Sequence, residues 1–219
     1  MFWSKYFGFL RRFLTKGDRI LDVGCGPDGM IYYVDGTYDR YGMDPLIDSY
    51  TTNYDAQNSL TLLKGVGEFL PFRDDTFDAV VCWNVLDHMR NPIKALTEMR
   101  RIVNAKGFLL LEVTCHSILV KRYRMVRELI GKGDVFHPLS FTADDVFNML
   151  SGNNFCIMKI NKEQVVWRNR LLSMIKIRDI KRLTSNLIRA VLSFLWRKIA
   201  KTNGLKSDDG SYIFMCKAK

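Results

Sequence analysis

Residues 19–29 read RILDVGCGPDG, an apolar run that ends in a glycine-rich turn. A strand followed by such a turn is a common place for a nucleotide-like cofactor, because glycines let the backbone come close to the ligand. Gly24, Gly26 and Gly29 satisfy the spacing GxGxxG. Asp44 follows Gly24 by 20 residues, where an acid binds ribose hydroxyls. The pattern predicts a cofactor loop that suits a nicotinamide dinucleotide as well, and a glycine turn without a ligand is the alternative interpretation.

Apolar runs, turn signals and helical patterns alternate along the rest of the chain, which is typical of an α/β domain with a parallel sheet. After the strand at 19–23, six further runs are predicted as strands, at 39–43, 60–64, 77–83, 108–113, 155–160 and 211–217. Helices are predicted to begin at Pro27 and Pro92, because proline suits a first helical turn. A third is predicted to follow Thr142, whose hydroxyl can cap it.

The composition is that of an ordinary folded protein. The chain has 219 residues, of which 47% are apolar and 26% charged, so one domain is expected and wholesale disorder is excluded. Its five cysteines show no CxxC spacing, which predicts a reducing cytoplasm without a disulfide framework. No apolar run reaches the roughly 18 residues that a membrane-spanning helix needs, and the start lacks the apolar core of a signal peptide.

The net charge of +10 is concentrated in three segments. Residues 1–16 contain four basic and no acidic side chains, residues 115–141 five and two, and residues 161–210 twelve and four. The remainder of the chain is therefore slightly acidic. The excess positive charge belongs to particular segments, where it favours an anionic partner or simply a solvated surface.

Four segments carry a resemblance to a known family. In residues 20–27 an acid stands two residues before the first glycine, which dinucleotide-binding loops do not usually require. Residues 70–80, 84–88 and 98–111 contain three further motifs. In their residues, order and spacing, the four segments resemble class I S-adenosylmethionine-dependent methyltransferases, in the type 11 branch that includes quinone-biosynthesis enzymes. The resemblance covers residues 19–114 and extends weakly to the last strand.

This resemblance implies a Rossmann-like, doubly wound sheet of seven strands, the last of them antiparallel, in one domain over residues 1–219. Residues 1–16 would form an N-terminal helix, and residues 115–141 and 161–210 would be helical lid insertions. The implied cofactor is S-adenosylmethionine.

The resemblance also assigns roles in the cofactor site residue by residue. The cofactor-binding residues that it implies are Asp22, Gly24, Cys25, Gly26, Asp44, Pro45, Gly67, Glu68, Asn84 and Val85. Asp44 would bind the ribose hydroxyls, and Gly67 and Glu68 would border the adenine. The backbone of Asn84 and Val85 would face the methionine part of the cofactor.

Histidines are the candidate acid–base groups. The sulfonium of the cofactor already activates the methyl group, so a protein base is needed chiefly for an oxygen or activated-carbon acceptor. His88, just after the fourth strand, is the candidate catalytic residue, with a passive loop histidine as the alternative. His116 and His137 could reach the same face, and Asp87 is interpreted as a loop or helix-start residue. No metal site is predicted, because the histidines have no i, i+4 partner and no acidic cluster beside them in the sequence.

The three basic segments indicate where the substrate enters and what kind of surface the protein contacts. Ligands of parallel sheets lie at the carboxyl ends of the strands, from which residues 115–141 and 161–210 are expected to emerge. The resemblance implies that residues 1–16 fold over the same side, so all three segments are expected around the substrate entrance. Apolar residues at helical spacing over 180–199, among basic ones, predict contact with an anionic membrane surface, and a packed lid is the alternative.

The sequence thus predicts methyl transfer to a small-molecule or lipid-linked acceptor. An RNA methyltransferase is an alternative, since basic segments with aromatic residues also bind RNA. An NAD-dependent oxidoreductase is a further alternative, disfavoured by Asp22 and residues 70–80. A protein that keeps the fold and binds cofactor without turnover is the non-enzymatic alternative.

Overall fold

The computed structural model describes residues 2–50, 60–129, 131, 133–134, 137–163 and 209–219. Their core is one seven-stranded sheet with the order β3-β2-β1-β4-β5-β7-β6. The strands are β1 Arg19–Val23, β2 Asp39–Asp44, β3 Leu60–Lys64, β4 Phe77–Trp83, β5 Val103–Cys115, β6 Phe155–Glu163 and β7 Gly210–Ala218. The first five pair in parallel, and β7 runs antiparallel to both of its neighbours. The predicted Rossmann-like sheet with an antiparallel last strand is confirmed.

Four α-helices lie among the described residues: α1 Phe2–Leu10, α2 Pro92–Ile102, α3 Ile118–Leu129 and α4 Ala143–Gly152. Local sequence accounts for their starts. The Asn91 side chain accepts a hydrogen bond from the amide of Lys94 and caps α2, which has proline in its first turn. Thr142 and Asp145 cap α4 reciprocally.

The helix predicted to begin at Pro27 is wrong. Residues 26–28 form a turn, and only a single 3-10 turn follows, at Met30–Tyr33. Its first amides bond to a buried carboxylate instead of continuing an α-helix, as described below. β5 begins at Val103, immediately after α2, and therefore five residues before the start of the strand predicted at 108–113.

Helices pack on both faces of the sheet, as the doubly wound prediction requires. α1 contributes Tyr6, Phe7 and Leu10 to the core on one face. α2 and α4 contribute to the core on the other face, for example Leu96 and Val146. Strand residues alternate between the two cores because successive side chains point to opposite faces.

The three predicted decorations are described to different extents. The N-terminal helix predicted over 1–16 spans Phe2–Leu10, and the segment 115–141 contains α3. The insertion predicted over 161–210 begins later, because β6 continues to Glu163, and residues 164–208 lie outside the described residues. The apolar pattern over 180–199 falls there too. No helix among the described residues is both long enough and apolar enough to cross a bilayer.

Candidate functional site

The carboxyl ends of the parallel strands meet at one edge of the sheet, and the loop after β1 lines a cavity there of about 250 Å³. The lining residues are Trp3, Asp22, Gly24, Cys25, Pro27, Asp28, Gly29, Trp83 and Asn84. A cavity of about 350 Å³ lies at the opposite edge, between the starts of β1 and β4 and the 104–108 segment. We place the site at the carboxyl edge, because ligands of α/β sheets bind there and the predicted glycine loop lies there.

Three amides of the glycine loop are bonded to β2. Gly24 N and Cys25 N both donate to the carbonyl oxygen of Met43, at 2.7 and 3.2 Å. Gly26 N donates to Asp44 Oδ2 at 3.1 Å. Gly24 and Gly26 have positive φ angles of 74° and 51°, which glycine adopts without strain. These amides therefore fix the loop to the neighbouring strand. In a phosphate-binding loop, the same amides would donate to the ligand.

Asp22 stabilises the turn from the interior of the protein. Its side chain is 1% exposed and its Oδ2 accepts a hydrogen bond from the amide of Ile31 at 3.1 Å. Burial raises the pKa of Asp22 from 3.8 to about 7, and the hydrogen bonds from the Ile31 and Met30 amides oppose this rise. A methyl group on Gly29 would lie 2.8 Å from Asp22 Oδ2 and 2.3 Å from the Cys25 carbonyl oxygen. Asp22 therefore shapes the loop, and Gly29 is required for the close packing.

Asp44 ends β2 with its carboxylate beside the loop. Oδ2 accepts from Gly26 N and Oδ1 accepts from Leu46 N at 2.8 Å. These bonds use two of the carboxylate's roughly four lone-pair sites, and the Tyr50 hydroxyl also interacts with Asp44. Hydroxyl groups, such as those of a ribose, are therefore suitable donors to this carboxylate. Pro45 follows directly and is exposed. This arrangement fits the role that the resemblance assigns to Asp44.

The end of β4 packs against the same loop. Asn84 has a φ of 54°, and its amide donates to the Glu112 carbonyl oxygen at 3.1 Å. Val85 comes next and touches the loop, since a methyl group on Gly24 would lie 2.5 Å from both γ-carbons of Val85. The structure thus brings Gly24, Asn84 and Val85 together, as predicted from residues about 60 positions apart in the sequence.

The third predicted loop, after β3, is held by internal contacts. A methyl group on Gly67 would lie 2.7 Å from the terminal carbon of Met89. Glu68 is 8% exposed and its Oε1 accepts a hydrogen bond from the amide of Asn91 at 3.1 Å. The carboxylate of Glu68 therefore supports the start of α2 from beside the loop, a role the sequence analysis missed.

The histidine region differs most from the sequence analysis. His137 Nδ1 lies 2.7 Å from Asp87 Oδ2, whereas His88 Nε2 lies 3.8 Å from Asp87 Oδ1. Asp87 is 4% exposed and belongs to a 3-10 turn, Leu86–His88. Atoms of these three side chains that could ligate a metal all lie within 4.8 Å of one another. The sequence showed no such cluster because His137 lies about 50 residues after Asp87 and His88.

Aromatic side chains from α1 form a wall of the cavity that sequence reasoning did not assign. Trp3 Nε1 donates to the carbonyl oxygen of Asp28 at 3.0 Å. The rings of Trp3 and Trp83 are 5.3 Å apart and nearly perpendicular, and Tyr6 lies 4.5 Å from Trp83. The sequence predicted no role in the cofactor site for the aromatic residues of the N-terminus. The structure instead places Trp3 at the cofactor loop.

Comparison with known proteins finds a family model that matches the middle of the chain. Residues 21–111 match the family model described as a methyltransferase domain. An uncharacterized protein of Methanocaldococcus jannaschii is 36% identical over 135 residues, which are 60% of this chain and 55% of that protein. An uncharacterized methyltransferase of Schizosaccharomyces pombe is 32% identical over 116 residues, 46% of this chain and 41% of that protein.

The fold comparison agrees. A crystal structure of an S-adenosylmethionine-dependent methyltransferase from Methanosarcina mazei superposes with a TM-score of 0.65, at 14% identity over 96% of each chain. At this identity the likeness establishes the fold. The chain spans about half the length of the curated relatives that it matches.

Proposed function

We propose that the chain is a class I S-adenosylmethionine-dependent methyltransferase, which transfers a methyl group from S-adenosylmethionine to a small-molecule or lipid-linked acceptor; residues 21–111 match the model of a methyltransferase domain. One observation supports this most directly. The Gly24, Cys25 and Gly26 amides are bonded to β2 and Asp44. A dinucleotide would need such amides for its pyrophosphate. The cavity is instead lined in part by the acidic residues Asp22 and Asp28, which suit a ligand with a cationic sulfonium and ammonium group.

The residues present fit this cofactor. The Asp44 carboxylate lies beside the loop, where it can accept hydrogen bonds from ribose hydroxyls, and Gly24 and Gly26 give the ligand a backbone without side chains. Trp3 and Trp83 line the same cavity, and aromatic faces attract cations. When bound, S-adenosylmethionine supplies an electrophilic methyl group on sulfur.

The protein's own groups orient the reactants and exclude water. The bonds from the loop to Met43 and Asp44 fix the loop before any ligand arrives, so little ordering is left to the binding step. The ring pair of Trp3 and Trp83 covers the cavity from the α1 side. Methyl transfer benefits from such a dry, preorganised site, because neither reactant then has to shed ordered water during the reaction.

Binding of the cofactor is the first test. We expect calorimetry on the purified chain to detect S-adenosylmethionine and S-adenosylhomocysteine but not NADH at the same concentration. Mass spectrometry of the protein as purified would identify any nucleotide that it retains. Binding of NADH in place of S-adenosylmethionine would contradict the proposal and move the oxidoreductase alternative ahead.

The lipid-linked form of the acceptor is supported by α3. This helix has no buried residue, although it follows the carboxyl end of β5 directly. Its polar side faces the domain, where Lys121 Nζ lies 2.6 Å from Asp145 Oδ2 and Arg124 donates to the His137 carbonyl oxygen at 2.7 Å. Its outward apolar face comprises Ile118, Leu119, Tyr123, Met125, Val126 and Leu129, each between 44% and 86% exposed.

An amphipathic helix that turns its apolar side outward, with net positive charge, fits an anionic bilayer surface. Arg122 and Arg127 are exposed beside the apolar face and could meet lipid headgroups while their stems lie along the apolar region. We infer that α3 brings the substrate entrance to a membrane where a lipid-linked acceptor is found. RNA binding by the same helix is the competing outcome of the vesicle experiment in the Discussion.

A further inference from the structure

The chain contains three histidines, and the tertiary structure brings two of them, His88 and His137, to one buried carboxylate. The rings of His88 and His137 lie 4.6 Å apart. Asp87 is 4% exposed, and its oxygens lie 2.7 Å from His137 Nδ1 and 3.8 Å from His88 Nε2. The third histidine, His116, follows β5 with its Nδ1 3.8 Å from Asp209 Oδ1, and burial lowers its pKa. Two distant segments of the chain thus meet at the carboxyl edge of the sheet.

The contact between His137 and Asp87 fixes the histidine tautomer. His137 Nδ1 lies 2.7 Å from Asp87 Oδ2, and a carboxylate only accepts hydrogen bonds. Nδ1 therefore carries the hydrogen, and Nε2 keeps a lone pair that can accept a proton. The side chain of His137 is 40% exposed, so a ligand can reach this ring. His88 lacks such orientation, since its Nε2 is 3.8 Å from Asp87 Oδ1, beyond hydrogen-bond distance.

The second oxygen of Asp87 is the unusual feature. Oδ1 is buried and has no hydrogen-bond partner among the described residues. An unpaired buried carboxylate oxygen costs free energy, and folded proteins seldom keep one without a reason. A carboxylate that is not fully neutralised by hydrogen bonds stabilises a positive charge on its histidine partner, as in catalytic His–Asp pairs.

The pair lies between the two loops assigned to the cofactor. Val85, two residues before Asp87, touches Gly24, and Met89, two residues after it, touches Gly67. The 3-10 turn that holds Asp87 is therefore packed between both loops. A base at this position would face an acceptor beside the methyl group rather than a remote surface.

The backbone around His137 is also held in place. Leu139 N donates to the Asp87 carbonyl oxygen at 3.3 Å, and Arg124 donates to the His137 carbonyl oxygen at 2.7 Å. His137 N donates to Asp134 Oδ1 at 3.3 Å. These bonds restrict the ring before a substrate binds, as a preorganised catalytic group requires.

The geometry points to His137 as the general base of the proposed methyl transfer, with Asp87 as its positioning residue, and to a hydroxyl compound as the acceptor; this inference rests on the proposed function. Transfer to a hydroxyl forms a carbon–oxygen bond and breaks the carbon–sulfur bond, whose electron pair stays on sulfur. The hydroxyl proton passes to His137 Nε2, and the imidazolium then loses it to water. A neutral hydroxyl is a weak nucleophile and needs this base, whereas an amine uses its own lone pair and a thiol ionises easily.

Nitrogen NMR of the full chain tests the orientation without any substrate. Three pairs of imidazole ¹⁵N signals are expected, one pair for each histidine, and each pair is assigned by substitution of that histidine with glutamine. At a pH where the imidazoles are neutral, we expect His137 to be protonated at Nδ1 in wild type. In Asp87→Ala, the tautomer of His137 should shift toward the Nε2-protonated form, while the thermal unfolding of the protein should stay unchanged. His137 protonated at Nε2 in wild type would overturn the assignment.

Methyl transfer tests the acceptor class. Calorimetry first confirms cofactor binding in every variant, and its absence in wild type would count against the proposed function rather than this inference. A phenol, the matching aniline and the matching thiophenol are then offered with methyl-labelled S-adenosylmethionine. We expect labelled methyl ether from the phenol, reduced 10²- to 10⁴-fold in His137→Gln and less than threefold in the control Lys106→Gln, which changes an exposed side chain at the opposite edge of the sheet.

Three results would overturn the proposal. The first is methyl transfer to the aniline or the thiophenol but not to the phenol; an absence of transfer to all three compounds, while the cofactor binds, counts in the same way. The second is a larger loss in His88→Gln than in His137→Gln, which would make His88 the base. The third is a divalent metal that copurifies stoichiometrically with wild type and is lost in Asp87→Ala, which would make the cluster a metal site.

Discussion

Gly24 and Val85 are in contact so close that no side chain fits between them. A methyl group on Gly24 would lie 2.5 Å from each γ-carbon of Val85, and Gly24 has a φ of 74°. The first cofactor loop and the loop after β4 therefore share one packing contact. A change at either residue moves both walls of the cavity.

Substitution at Gly24 is expected to destabilise the protein and weaken cofactor binding together. The left-handed backbone alone costs Gly24→Ala about 1–2 kcal/mol, and the contact with Val85 adds to it. Denaturant unfolding and calorimetry measure both effects. Gly36→Ala is the matched control, since no atom lies within 4 Å of its added methyl group and no positive φ opposes it. The double variant Gly24→Ala/Val85→Ala should recover part of the loss; equal losses in the single and double variants would argue against the contact.

Asp44→Ala should weaken S-adenosylmethionine binding by about 2–3 kcal/mol, the range for hydrogen bonds to a charged group. Part of this loss reflects the bonds from Gly26 and Leu46 that hold the loop. Calorimetry on wild type and variant gives the difference. Asp39→Ala, an exposed acid at the other end of β2, is the control and should leave the affinity unchanged. Unaltered affinity in Asp44→Ala would remove Asp44 from the cofactor site.

Asp22 should make the protein less stable as pH rises through neutrality. Burial raises its pKa from 3.8 to about 7 in the folded state. Between these values the folded protein holds a proton that the unfolded chain has lost, so the free energy of unfolding falls with rising pH. The fall from this residue is at most about 4 kcal/mol between pH 4 and 7, and is complete above pH 7.

Urea unfolding from pH 5 to 8 measures this slope. Asp22→Asn should flatten it, whereas the exposed control Asp39→Asn should not. Glu112, whose pKa burial also raises to about 7, contributes a slope of the same sign that remains in Asp22→Asn. Identical slopes in wild type and Asp22→Asn would show that Asp22 is ionised in the fold throughout this range.

The apolar face of α3 should hold the protein on anionic vesicles. Each basic side chain near such a surface contributes about 1 kcal/mol, so we expect co-sedimentation with anionic but not neutral vesicles, weakened by salt. The variant Arg122→Gln/Arg127→Gln/Leu129→Ser should lose most of this binding and keep its cofactor affinity. Arg73→Gln/Lys106→Gln removes the same charge from exposed sites elsewhere and is the control. Failure of wild type to bind vesicles, with a shift of RNA in a gel, would favour the nucleic-acid alternative.

The glycine loop and the strand pattern could be predicted from sequence because they depend on local chemistry. Apolar runs with β-branched residues bounded by glycine or proline gave the strand at 19–23 with the bounds the structure has. The capped start after Thr142 is equally local. The prediction of a helix from Pro27 was wrong because a buried side chain competes with helix formation. The Asp22 carboxylate accepts a hydrogen bond from the amide of Ile31, and the chain forms one 3-10 turn instead.

Sequence alone determined the α/β fold class and the succession of strands along the chain, because motif spacing and hydrophobic alternation are properties of the chain itself. Only the tertiary structure decided which groups meet across the sheet. His137 and Asp87 are 50 residues apart, and Trp3 reaches Asp28 across 25. Such pairs leave no periodic signal, since side-chain contact between segments depends on how strands and helices pack and not on distance along the chain.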